Sequence, residues 1–174
     1  MRIKPQDLAV GALLALLGGQ LLLLGDRLGY AGARPESWIS VGDDVSGVLV
    51  GDSGGELGSL LGPGPTLLLA FGANCSHCAT VAPRWKSWFD GGQRRLRVLA
   101  VSSDSAEVAE GFATQHGWDV EVLTVAPDRR LYPRPSLTTR TPWAFVVDET
   151  GVVLAEGHGK RLQEIIEMAG ISEW

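Results

Sequence analysis

The 174-residue sequence predicts an α/β fold, a central mixed β-sheet flanked by helices. Three observations predict it. The apolar run Thr66 to Phe71 has the length of a buried strand, and helical apolar spacing follows it at Cys78, Val81, Ala82, Trp85, Trp88 and Phe89. A second pair repeats the order: Leu96 to Val101 reads as a strand and Ala106 to His116 as a helix. Near the end, Trp143 to Val147 and Val152 to Glu156 flank the turn Asp148-Glu149-Thr150-Gly151, and a helix comes after. Strand–helix–strand units favour parallel pairing and a hairpin is antiparallel, so the sheet is mixed.

The elements follow in order. Met1 to Asp7 is a short polar leader, and Leu8 to Leu24 is an uncharged, Leu-rich stretch of 17 residues. That length is at the lower limit for a membrane-spanning helix, and a run apolar on all sides makes a poor surface helix. Residues 1–28 are therefore read as an N-terminal transmembrane anchor. A cleaved signal peptide is the competing reading, with Ala31-Gly32-Ala33 as a small-x-small site behind a charged spacer. Arg2 and Lys4 keep the N-terminus in the cytoplasm, although Arg27 and Arg34 on the other flank weaken that bias. Residues 29–40 read as a linker, and residues 41–174 as the globular domain. Weak strand signals lie between Val41 and Leu61, strongest from Val45 to Val50, and Gly62-Pro63-Gly64-Pro65 announces the main strand.

Pro83 predicts a kink in the first helix, which ends at Asp90-Gly91-Gly92. Ser102-Ser103-Asp104-Ser105 offers N-cap residues for the second helix, and Gly117 stops it. Val120 to Val125 is a further strand, Asp128 to Tyr132 a short helical turn, and Pro133 and Pro135 enforce a loop. Gly157-His158-Gly159 leads into a last helix, Lys160 to Ala169, with Leu162, Ile165, Ile166 and Ala169 on one face.

Composition narrows the function. An apolar content of 45% supports a core, and a formal charge of −5 gives no basic footprint for nucleic acid. The two cysteines form one pair, Cys75-Ser76-His77-Cys78, which ends a strand and opens a helix. Unpaired N–H groups and the helix dipole there favour the thiolate of Cys75, which is the nucleophilic form. Cys78, one turn on, is near enough to close a disulfide. Half a zinc site and an inert staple are the alternatives. A zinc site needs two further ligands, while His77, His116 and His158 are scattered, and so short a loop constrains the unfolded chain little.

Cys75-Ser76-His77-Cys78, then Pro83, then Thr141-Pro142, then Ala144 to Gly151 form an ordered set. From Val41 to Gly170 the chain resembles the thioredoxin superfamily on these residues. Within it, the chain is similar to the membrane-tethered TlpA/ResA-like group and, in style, to the accessory protein of methylamine dehydrogenase maturation. The resemblance implies a thioredoxin-like fold and a thiol–disulfide oxidoreductase whose redox-active group is its own Cys75–Cys78 disulfide, with no other cofactor and no metal. Cys75 is then the attacking cysteine, Cys78 the resolving one, and His77 a modulator that lowers the Cys75 pKa when protonated. The resemblance also implies that Pro142 is cis and that Thr141 offers backbone groups to an extended substrate segment. Trp143 lines the substrate groove or packs in the core.

Cysteine-containing protein substrates, a membrane or periplasmic redox partner and the lipid bilayer are the implied partners. The implied location is the bacterial cytoplasmic membrane, single-pass, with the catalytic domain on the extracytoplasmic side. Cytochrome c biogenesis is one setting for such a protein. The departures are the absence of Trp before Cys75, Ser76 where proline is usual, and no evident buried acid to move a proton at Cys78. A thioredoxin-like assembly factor or copper metallochaperone is the alternative function, with His158 the distant histidine such a role would recruit. A peroxidase is disfavoured, because Phe71 to Asn74 lacks the Thr and Pro that precede a peroxidatic cysteine. Trp85 and Trp88 are read as packing residues, His116 as a helix C-terminal residue, and Arg94, Arg95 and Arg97 as a solvated basic cluster.

Overall fold

The structure, a computed structural model, describes residue 20 and residues 38–51, 54–91, 96–125 and 136–171. The segment read as an anchor, the turn at Asp128 to Tyr132, Pro133, Pro135, Arg94 and Arg95 lie outside the described residues. Among the described residues, no helix is long and apolar enough to cross a membrane.

Within the unit Glu36–Trp174, the elements are β1 (Leu49–Val50), β2 (Gly55–Glu56), a 3-10 turn (Leu57–Leu60), β3 (Thr66–Phe71), α1 (Ser76–Asp90), β4 (Arg97–Ser102), α2 (Ala106–Gln115), β5 (Glu121–Thr124), β6 (Trp143–Val147), β7 (Val153–His158), a second 3-10 turn (Gly159–Arg161) and α3 (Leu162–Met168). The main sheet has the order β5-β4-β3-β6-β7. β3, β4 and β5 are parallel, while β6 is antiparallel to β3 and to β7. The sheet is therefore mixed, as the strand–helix and hairpin units predict.

Every residue of β3 is buried, because the strand is central and covered on both faces. Its alternate side chains feed two cores. Leu67, Leu69 and Phe71 meet the buried sides of all three described helices, including Val81, Trp85, Phe112 and Ile165. Leu68 and Ala70 face the other way, against Ile39, Val45, Val50, Leu57 and Leu137. Helices α1, α2 and α3 thus share one face of the sheet, and the segment from Ile39 to Leu57 crosses the other. It is stitched down at one side by Gly42 N–H to the Val153 carbonyl and Val45 N–H to the Gly151 carbonyl, and at the far side by Gly51 N–H to the Thr124 carbonyl.

The structure revises several local expectations. The stretch Val45 to Val50 yields only the two-residue strand β1, because its neighbours bond to the edges of the main sheet instead. Ile39, at the end of the stretch read as a linker, is buried. Strand β7 continues through Gly157 and His158, which pair with Ala144 and Trp143, so the last α-helix starts only at Leu162. Ser105 stands at the N-cap of α2 without a side-chain bond, and Asp104 is engaged elsewhere. Arg97 lies in β4 and pairs with Glu121 at 2.8 Å.

Four elements end at the same edge of the sheet. The C-terminal ends of β3 and β4, the start of β6 and the end of β7 converge there. Helix α1 starts at that edge and is anchored through Trp85, which is fully buried and donates its Nε1–H to the Gly159 carbonyl at 2.8 Å. Trp118 adds a second tie, donating to the Ala82 carbonyl at 3.2 Å and stacking edge-on with Phe71.

Candidate active site

Cys75 is the N-cap residue of α1, in extended conformation, and its sulfur accepts the Cys78 N–H at 3.2 Å. A sulfur thus occupies the place a Ser or Asp oxygen takes at an ordinary N-cap. Cys78 is buried beneath it, its sulfur 3.5 Å from the Gly72 N–H. Both cysteines are free thiols. Burial pushes the Cys75 thiol up. The Cys78 thiol, the Cys78 N–H, the Thr141 hydroxyl and the His77 N–H outweigh it, so Cys75 lies below its ordinary pKa. Burial, followed by the bond with Cys75, pushes Cys78 up to about 12. One thiol is set up to be a thiolate and the other to stay protonated.

Opposite the pair, the Thr141–Pro142 peptide is cis. The Cys75 Sγ lies 3.7 Å from the Thr141 carbonyl, which accepts the thiol hydrogen. The Pro142 carbonyl accepts the Gly159 N–H at 3.1 Å, which fixes the loop to the end of β7.

No protein-family model matches the chain, and no curated protein matches it. Solved structures do. The chain is similar to a domain named as a thiol-disulfide isomerase from Cytophaga hutchinsonii, with a TM-score of 0.60 and 16% identity over 77% of this chain and 95% of that one. It is similar to a protein from Chlorobium tepidum named as a thiol:disulfide interchange protein DsbE, with a TM-score of 0.53 and 21% identity over 75% and 98% of the two chains. It is also similar to the peroxidoxin BcpB of Mycobacterium tuberculosis, with a TM-score of 0.54 and 17% identity over 78% and 99%.

The chain has a thioredoxin-like fold.

On this thioredoxin-like frame the six sequence-predicted site residues sit around one edge. His77 follows Cys75 on the first turn of α1, with an exposed ring and its backbone N–H directed at the Cys75 sulfur. Trp143 is half-buried. Its indole Nε1–H donates to Glu156 Oε2 at 2.6 Å, and its face carries the Arg140 guanidinium 3.8 Å from the ring centroid. Its indole is thus held by protein groups on its N–H and on one face.

One residue near the pair was read from the sequence only as a helix cap. Asp104, just past β4, accepts the Ala73 N–H at 2.7 Å and the Ser102 hydroxyl at 3.0 Å. A Cβ on Gly72 would lie 3.6 Å from Cys75 Cβ and 3.9 Å from both Asp104 Oδ2 and Thr141 Oγ1, so these three side chains surround the glycine. A run of Ser and Asp before a helix carries a capping signal, and that signal masked this role. His158 ends β7 opposite Trp143, at a ring separation of 6.0 Å. Burial, then the charges of Lys160 and His77, hold it below the ordinary imidazole value. Among the described residues, no three His, Cys, Asp or Glu side chains gather in a group that could hold a metal ion.

Proposed function

We propose that the chain is a membrane-tethered thiol–disulfide oxidoreductase acting on protein cysteines outside the cytoplasm. The observation that carries the reading is the Cys75 sulfur at the head of α1, lowered in pKa and 3.7 Å from the Thr141 carbonyl, above a buried Cys78. The Cys75 thiolate attacks a substrate disulfide. A Cys75–substrate S–S bond forms, the substrate S–S bond breaks, and the leaving sulfur departs as a thiolate. Cys78 gives up its proton, for which the departing thiolate is the base at hand, and attacks the Cys75 sulfur. The substrate leaves as a dithiol and the chain as the Cys75–Cys78 disulfide, two electrons having passed to the substrate. Run backwards, the same steps oxidise a dithiol. His77 modulates Cys75, and Thr141 with Pro142 lines up the substrate segment, as in β-strand addition.

The uncharged segment Leu8 to Leu24 behind Arg2 and Lys4 supports the tether in the bacterial cytoplasmic membrane. Disulfides persist on the oxidising side, which supports an extracytoplasmic domain. A membrane or periplasmic redox partner then regenerates the pair, and apocytochrome c cysteines are among the candidate clients.

The test equilibrates the purified full-length protein with glutathione and follows the thiols by mass spectrometry. A Cys75–Cys78 disulfide forms, Cys75→Ser abolishes disulfide exchange, and Cys78→Ser accumulates the mixed disulfide. A potential near about −120 to −180 mV marks an oxidase or isomerase, and one near about −270 mV a reductase. Absence of the disulfide under every buffer ratio sinks the redox reading. Release of the chain from membranes by alkaline carbonate sinks the tether alone.

A further inference from the structure

Arg140 immediately precedes Thr141, and its side chain is held on several sides. The guanidinium carbon lies 3.8 Å from the Trp143 ring centroid and 4.7 Å from that of Trp38. Its Nη2 donates to the Ile39 carbonyl at 2.9 Å and pairs with Glu156 Oε2 at 3.3 Å, with the two side chains only 19% and 9% exposed. Trp143 donates to the same carboxylate oxygen. The planar guanidinium stacks on the two rings while its edge makes hydrogen bonds, which an ammonium cannot do. Thr141 is thus bracketed, by Arg140 on one side and by the Pro142–Gly159 bond on the other.

We propose that Arg140 is a positioning residue, which fixes the Thr141 backbone opposite Cys75 and so holds the edge along which a disulfide-bearing protein segment aligns. The proposal rests on the thiol–disulfide reading above. Exchange needs the attacking sulfur and the substrate disulfide in line, so a loose edge weakens alignment of an extended segment. A small disulfide that needs no such edge reaches Cys75 unaided. Arg140 therefore weighs mainly on KM for protein disulfides and far less on small ones, which meet Thr141 only through its contact with Cys75.

The test uses the full-length protein with dithiothreitol as reductant, and compares reduction of insulin with reduction of an aromatic disulfide such as DTNB. Arg140→Ala raises KM for insulin about tenfold, the scale of a lost cation–π stack, with kcat and the DTNB rate little changed. Arg140→Lys, which keeps the charge for Glu156 and loses the planar stack, falls between. Trp38→Ala, which removes an exposed ring, shifts KM the same way by less. An unchanged insulin KM in a folded Arg140→Ala protein overturns the proposal. So does a parallel fall in both substrates, which general loosening around Cys75 would produce. If Arg140→Ala does not fold, Trp38→Ala decides by the same criterion. Wild-type protein that reduces neither substrate overturns the redox reading and this proposal with it. Activity of the wild type with an unmoved KM in the variants overturns this proposal alone.

Discussion

Cys75 and Cys78 are the same side chain in adjacent turns, and the surroundings drive their acidities apart. Cys75 gains N–H and hydroxyl donors that outweigh its burial, while Cys78 lies buried with the Gly72 N–H and the Cys75 sulfur as partners. Site-resolved alkylation of the reduced protein against pH checks this. Cys75 labels with a midpoint below the ordinary thiol value of 9.0, and Cys78 stays unlabelled until far higher pH, near about 12. Equal midpoints contradict the assignment. The CxxC and its place at a helix start were legible in the sequence, because local spacing sets them. Asp104 was not, since its partner Ala73 lies 31 residues away and a carboxylate before a helix carries the same signal as a cap. Asp104→Ala removes an acceptor from the Ala73 N–H and the Ser102 hydroxyl, and is expected to lower stability by about 1–2 kcal/mol in urea denaturation. Asp104→Asn keeps an acceptor oxygen and loses less.

Helix α1 holds its sulfur in place through the element that packs behind it. Trp85 lies against the turn after β7 so closely that a Cβ on Gly159 would stand 2.3 Å from its Cζ2 and 3.0 Å from its Cε2. Gly159→Ala must therefore shift either a buried indole or the turn, and with it the bond from Trp85 to the Gly159 carbonyl. The expected cost is about 1–3 kcal/mol in thermal or urea unfolding, the usual range for overpacking. A variant as stable as wild type would show that the turn yields freely. The length of β3 and β6 was legible, because both are continuous apolar runs. The end of β7 was not. Gly157-His158-Gly159 reads as a break, yet pairing with Ala144 and Trp143 carries the strand two residues further and brings His158 to the site.

Taken whole, the domain links its stability to the protonation of the cysteine pair. Unfolding returns Cys78 from about 12 towards the ordinary 9.0, so between these values the unfolded chain has lost a proton that the folded chain keeps. Stability from this group is complete below about 9 and falls as pH rises towards 12. Cys75 has the opposite sign: its lowered pKa adds stability as pH climbs through its folded value towards the unfolded one. The urea midpoint of the reduced protein should therefore drop more steeply above pH 9 than that of Cys78→Ser, the difference isolating Cys78 from lysines and tyrosines. Identical slopes in the two proteins contradict the linkage. Local sequence pattern determined the strand and helix types, the mixed sheet and the CxxC pair at a helix start, because periodicity and chain-adjacent chemistry act over a few residues. Tertiary structure alone decided that Asp104 reaches the Ala73 N–H two residues before Cys75, that His158 ends β7 opposite Trp143, and that Arg140 and Glu156 join Trp143 in one group. These side chains lie between 29 and 83 positions from Cys75 in the chain, and only the pairing of β3 with β4 and β6, and of β6 with β7, brings their strand ends to one edge.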